Sequence, residues 1–154
     1  MTTPSGKTPL HLLKIAVGVA DIEELRRVRA KRIRQYGGSW VYTRNHPRRA
    51  AEVLDGGSLY WVIRGQVRAR QRVVGFRSER DDNGRAYCLI AVDPALVPTL
   101  QRPWRPFQGW RYLTAADAPP DLTAENGSPD LAAADAEQQV PERLVAELRA
   151  LGLW

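Results

Sequence analysis

Apolar positions along the chain come in two rhythms: adjacent or alternating runs that read as strands, and intervals of three and four that read as helices. LHLLKIAVGV (residues 10–19) is a continuous apolar run with β-branched residues toward its end, and predicts a buried strand. The period then changes. Asp21 stands at an N-cap position with Glu24 three residues on, the spacing of a capping box. Ile22, Leu25, Val28 or Arg29, and Arg32 or Ile33 follow at helical spacing, and Gly37-Gly38 closes the element near Tyr36. A helix over about 21–36 is expected, with its other faces crowded by Arg26, Arg27, Arg29, Lys31, Arg32 and Arg34.

SWVYTR (39–44) reads as a strand. In NHPRRAAEVLDGG, Pro47 suits a first helical turn, Ala50, Ala51, Val53 and Leu54 supply a short apolar side, and Gly56-Gly57 stops it, giving a helix near 47–54. SLYWVIR (58–64) is apolar on both faces, so Tyr60 and Trp61 belong to a central strand. After a turn or bend at Gly65-Gln66, QVRARQRVVGFR (66–77) alternates. Val67, Ala69 and Val73 take one face, and Arg68, Arg70 and Arg72 the other. Beyond Val73 the apolar pair becomes Val74 and Phe76, and with Gly75 alongside this predicts a bulge that swaps faces. ERDDNGR (79–85) carries an Asn-Gly hairpin signal, and AYCLIAVD (86–93) returns.

The expected fold is therefore α+β: a small, curved antiparallel sheet or barrel with flanking helices. PALVPTLQRPWRPFQGWRYL, with prolines at 94, 98, 103 and 106, is expected to wrap that sheet irregularly while Trp104, Phe107, Trp110 and Tyr112 are buried. Three regions follow. Residues 1–113 form a basic α+β domain, 114–139 an acidic Ala/Pro-rich linker, and 140–154 an amphipathic helix (about 141–151) with Leu144, Val145, Leu148 and Leu151 in one stripe.

Several of these stretches are distinctive together: TR followed by PRRAAEVL, then GGSLYWVIRG, ARQRV, FQGWRYL and DAPPDL. From Leu10 to Leu122 the chain closely resembles an alphaproteobacterial family, the domain of unknown function numbered 1489, with the tail from 123 outside the match. That resemblance implies no activity. A fold-level similarity runs to the PUA-like barrels (the PUA, ASCH, EVE and YTH group). Its basis is a short helix ending in Gly-Gly, an aromatic strand, and a strand that begins a second hairpin. It implies a small pocket or groove for a nucleobase or RNA and carries over no residue.

Charge sharpens the picture. Residues 1–112 hold 21 Lys and Arg against 9 Asp and Glu, a net of +12, whereas residues 113–154 hold 2 against 8, a net of −6. Nearly all the positive charge is arginine, which grips phosphate and carboxylate by a planar fork. A basic body with an acidic tail points to a polyanion partner, RNA foremost. Alternate strand residues lie roughly 6.5–7 Å apart, comparable to successive phosphates, so an arginine row can track a nucleic-acid backbone without reading bases. The expected positive surface is Arg44, Arg48, Arg49, Arg68, Arg70 and Arg72, with Tyr60 and Trp61 as stacking neighbours. The alternative is internal pairing of the row with the acidic tail or with Glu52 and Asp55. On its linker the tail is expected to act as a partial lid over the row.

Catalytic signatures are sparse. HExxH, CxxC, GxSxG and P-loop spacings are absent, and one cysteine with two separated histidines leaves no zinc set. No cofactor or metal is expected. Tyr42, Thr43 and His46 define a candidate pocket at the second helix, where His46 is suited to acid–base work and free N–H groups to phosphate. His11 and Cys88 read as core residues. RNA binding leads, with a protein-interaction module and a small-ligand or nucleotide-acting enzyme built on His46 as alternatives. A single cysteine, no signal-peptide order and no apolar run near 20 residues set the expectation of a cytoplasmic protein without a membrane partner.

Overall fold

In the computed structural model the described residues are 8–123. The expected terminal helix and most of the expected linker lie outside them. The first half of the chain follows its caps closely. Strand β1 (Leu10–Ile15) leads to helix α1 (Ile22–Tyr36), opened by Asp21, whose carboxylate accepts the Glu24 N–H at 2.8 Å. Glu24 reaches back to the N–H of Ala20, also at 2.8 Å, so two end donors are satisfied reciprocally. Gly37 closes α1 in the left-handed region at φ 73°, donating to the Ile33 carbonyl.

Strand β2 (Trp40–Thr43) follows, then a five-residue helix α2 (Ala50–Leu54). Pro47 lies before α2, fully buried, and does not form its first turn. Strands β3 (Ser58–Ile63), β4 (Gln66–Arg80) and β5 (Ala86–Val92) form the expected meander. The chain after Pro94 departs from the expected irregular wrap. It makes β6 (Val97–Pro103) and β7 (Trp110–Thr114). Pro98 and Pro103 lie near the two ends of β6, which is bonded along β4 on one side and to residues 120–122 on the other. The connection between β6 and β7 does wrap, laying Trp104 and Phe107 against the sheet.

The strand order is β2-β5-β4-β3-β1-β7, with β6 also on β4. The sheet is mixed and open, where a purely antiparallel sheet or barrel was expected. The difference lies in β1, which runs parallel to β3 (Leu12 opposite Leu59) and antiparallel to β7. A parallel neighbour needs a long crossover, and α1, β2 and α2 together supply it. The α+β class holds, with two helices among the described residues.

Fifteen-residue β4 belongs to two layers. Residues 66–70 lie between β3 and β6, and residues 73–80 pair with β5. The expected bulge is there, a register shift between Val73 and Gly75. A second one is not visible in the alternation: Trp61 faces Ala69 and Val62 faces Val67, leaving Arg68 as the extra residue. Val67 and Ala69 therefore belong to opposite faces, and Arg68 does not continue a row with Arg70 and Arg72. One core, covered through Leu25 of α1 and Val53 of α2, gathers Leu12, Leu59, Trp61, Ile63, Ala69, Val73 and Ile90. The other gathers Leu13, Tyr60, Val62, Val67 and Leu113 under Trp104 and Phe107. No helix among the described residues is long and apolar enough to cross a membrane.

Candidate functional site

Two polar surfaces are built on this sheet. The first is a groove of about 380 Å³ over β1, β3 and the first half of β4. Its floor holds His11, only 7% exposed, whose Nδ1 accepts the Ser58 N–H at 3.0 Å. That bond fixes the tautomer, since a nitrogen that accepts carries no proton. Burial first, and the positive charge of Arg70 second, pull the His11 pKa down to about 4. Tyr60 stands edge-on to the imidazole at 4.9 Å, its hydroxyl pKa raised by burial. Arg70 donates from Nε and Nη2 to the two oxygens of Asp121, each at 2.7 Å, and from Nη1 to the Ser58 hydroxyl at 3.0 Å. This fork holds the Asp121 carboxyl below its usual range. Arg72, exposed, forms the rim.

Asp121 falls in the stretch expected to begin the linker. Instead, residues 119–122 lie along β6: the Leu100 N–H reaches the Pro120 carbonyl, and the Leu122 N–H the Pro98 carbonyl, each at 2.9 Å. Part of the anticipated internal pairing of the arginines is thus realised by one carboxylate.

The second surface is the ribbon of β2, β5 and the far half of β4. Tyr42, Leu89 and Arg77 face one another across it in register. Tyr42 is 51% exposed and packs on Tyr87, with ring centroids 5.1 Å apart and planes tilted 32°. The Arg44 guanidinium lies 5.8 Å from the Tyr42 centroid and is steadied by a 2.9 Å bond to the Ala86 carbonyl. Arg77 is paired with Glu79 yet its side chain is 62% exposed. Helix α1 packs on the opposite, inner face, presenting Arg27, Lys31, Arg32 and Arg34 to solvent.

The sequence pattern of the family described as "Protein of unknown function (DUF1489)" matches residues 12–154. The chain belongs to that family. The match takes in the tail, which the motif resemblance had left outside. No curated protein and no solved structure matches the chain.

Within this DUF1489 chain the expected site residues separate. Tyr60 and Trp61 are each only 5% exposed and belong to opposite cores, so they offer no stacking surface. Trp61 donates its Nε1–H to Gln71 at 2.9 Å and lies under Arg29. Arg49 is clasped by Glu52, two bonds of 2.7 Å, and Arg48 is exposed beside it. Arg68 is half-buried at the bulge, its pKa lowered by burial. The expected pocket of Tyr42, Thr43 and His46 is not assembled. Tyr42 faces outward, whereas Thr43 is buried on the inner side opposite Cys88. His46 leans on that inner side, with Nδ1 3.2 Å from Ser78 Oγ and 3.6 Å from Cys88 Sγ. Burial raises the Cys88 thiol pKa, which opposes a nucleophilic role. Among the described residues no His, Cys, Asp and Glu cluster is placed to hold a metal.

Sequence reasoning missed Tyr87, Asp121 and the groove-facing side of His11. The signal for Tyr87 was present: in AYCLIAV, Cys88, Ile90 and Val92 alternate inward, which turns Tyr87 and Leu89 outward. Asp121 left no such signal, because its partner lies 51 residues earlier.

Proposed function

We propose that the chain binds single-stranded RNA across the outer face of the β2–β5–β4 ribbon. Bases stack on Tyr42 and Tyr87, and Arg44 and Arg77 take phosphates. The observation that carries this reading is Tyr42: a large ring half open to solvent, yet held by Tyr87 on one side and Arg44 on another. Paired aromatics flanked by guanidinium groups are the elements of a sequence-tolerant single-strand platform. The basic face of α1 lies on the other side of the sheet and acts through its long-range field, drawing polyanions in without touching them. The likeness to PUA-like barrels expected from the order of elements in the sequence points to the same partner class by analogy.

Fluorescence polarisation with a labelled single-stranded RNA tests this. Saturable binding is expected at low salt, falling linearly in a log–log plot as salt rises. Each stacked base is worth about 1–3 kcal/mol, so Tyr42→Ala with Tyr87→Ala weakens binding at least tenfold. Arg44→Ala and Arg77→Ala each reduce the salt slope by about one. Absence of saturable binding at low salt, or a double tyrosine variant that binds like wild type, rejects the proposal.

A further inference from the structure

The groove over β1, β3 and β4 lies apart from the ribbon and is lined with hydrogen-bond donors. We propose that it is a binding site for a small phosphate monoester, with the phosphoryl oxygens held by Arg72, Arg70, the Tyr60 hydroxyl and the His11 Nε2–H.

The donors come from three neighbouring strands, and each retains capacity. His11 uses Nδ1 as an acceptor for the Ser58 N–H, so its proton sits on Nε2, which has no acceptor among the described residues. Its depressed pKa of about 4 keeps the ring neutral near pH 7, a single fixed donor rather than a second positive charge. Of the five N–H groups on the Arg70 guanidinium, Asp121 takes two and Ser58 one, which leaves two. Arg72 has no side-chain partner among the described residues, and neither has the Tyr60 hydroxyl.

Charge and shape agree with a phosphoryl group. Arg70 and Arg72 bring two positive charges and Asp121 returns one negative, so the groove keeps an excess of positive charge. To four separate donor groups, two of them guanidinium, a phosphate monoester offers three terminal oxygens and close to two negative charges, more than the two oxygens and single charge of a carboxylate. A volume of about 380 Å³ falls in the range of small-ligand sites. Asp121 is part of the construction. Anchored along β6, it fixes the Arg70 fork, while Pro119 and Pro120 line the groove beside it and Arg72 stays exposed.

Isothermal titration of the full chain with glycerol 3-phosphate at fixed ionic strength tests the site, with succinate and glycerol as comparison ligands. Saturable binding of glycerol 3-phosphate is expected, with succinate at least about tenfold weaker and glycerol silent. Arg72→Gln, an exposed change that leaves the core intact, lowers the affinity about tenfold or more, as the loss of a charged hydrogen bond does. Tyr60→Phe lowers it less, and Tyr42→Ala leaves it unchanged, which separates the groove from the RNA platform. Absence of saturation, an Arg72→Gln variant that binds like wild type, or succinate binding as well as glycerol 3-phosphate overturns the proposal.

Discussion

Neutral His11 on the groove floor ties stability to pH. Its folded pKa of about 4 lies below the ordinary 6.5, so the unfolded chain binds the proton more readily. Stability from this residue is complete above about pH 6.5 and is lost progressively as pH falls toward 4. Asp121 titrates below its ordinary 3.8 and so leaves that window to His11. Denaturant melts at pH 7 and pH 4.5 should differ by a few kcal/mol in wild type. His11→Gln should flatten much of that difference. Arg29 poses the reverse case, a cation only 7% exposed with no acidic partner among the described residues: Nη1 and Nη2 donate to the Trp40 carbonyl at 3.2 Å, Nη2 donates to the Ser39 hydroxyl at 3.3 Å, and Nε meets no partner among them. Burial lowers its pKa. Replacing a poorly compensated buried charge by an apolar chain of similar length costs little, so Arg29→Met should stay within about 1 kcal/mol of wild type. Arg29→Ala, which also leaves a cavity, should cost about 2–4 kcal/mol by the same melts.

Among the elements, the β3–β4 hairpin turns on Arg64 at φ 50° and Gly65 at φ 79°. Both central residues are left-handed, the requirement of the tight hairpin turn that favours Asn-Gly. Arg64→Asn should therefore stabilise the protein by about 0.5–1 kcal/mol, read as a raised melting temperature. Gly57 gives the opposite result: a Cβ there would sit 2.1 Å from the Leu10 carbonyl oxygen and 2.6 Å from that of Val53. Both contacts are backbone, so Gly57→Ala should cost at least about 2–3 kcal/mol. Such local features were the legible part of the sequence. The caps of α1, the Asn83-Gly84 turn and the bulge after Val73 all follow from residues a few positions apart. The bulge at Arg68 was hidden because Val67 and Ala69 are apolar and keep the alternation intact while serving different cores. Strand β6 was hidden by prolines that stand near its two ends, and β7 by Pro103 and Pro106 in the stretch before it. At the candidate site, the residue types were read correctly for charge. The partners that decide which arginines are engaged (Asp121 for Arg70, Glu52 for Arg49) depend on tertiary pairing.

Across the whole molecule the positive charge is divided between the two sides of the sheet. The ribbon keeps Arg44 and Arg77 near its tyrosines, and α1 carries Arg27, Lys31, Arg32 and Arg34 on the far side. Charges that steer without contact change arrival and not departure. Stopped-flow mixing of labelled RNA with an Arg27→Ala/Arg34→Ala variant should show association slowed severalfold at low salt, with dissociation unchanged. Arg44→Ala should instead speed dissociation. The placement of β1 has a consequence of another kind. Its neighbours are β3 and β7, so Leu10–Ile15 waits for residues 58–63 and then for residues 110–114 before both its edges are bonded. During synthesis, at about 5–20 residues per second, that apolar strand spends several seconds outside the ribosome with its backbone unpaired. The meander from β3 to β5 closes through short turns and has no such delay. Nascent chains stalled short of β7 should therefore protect the β3–β5 amides from exchange while the β1 amides that face β7 remain open, and that edge of β1 is where a chaperone would first take hold.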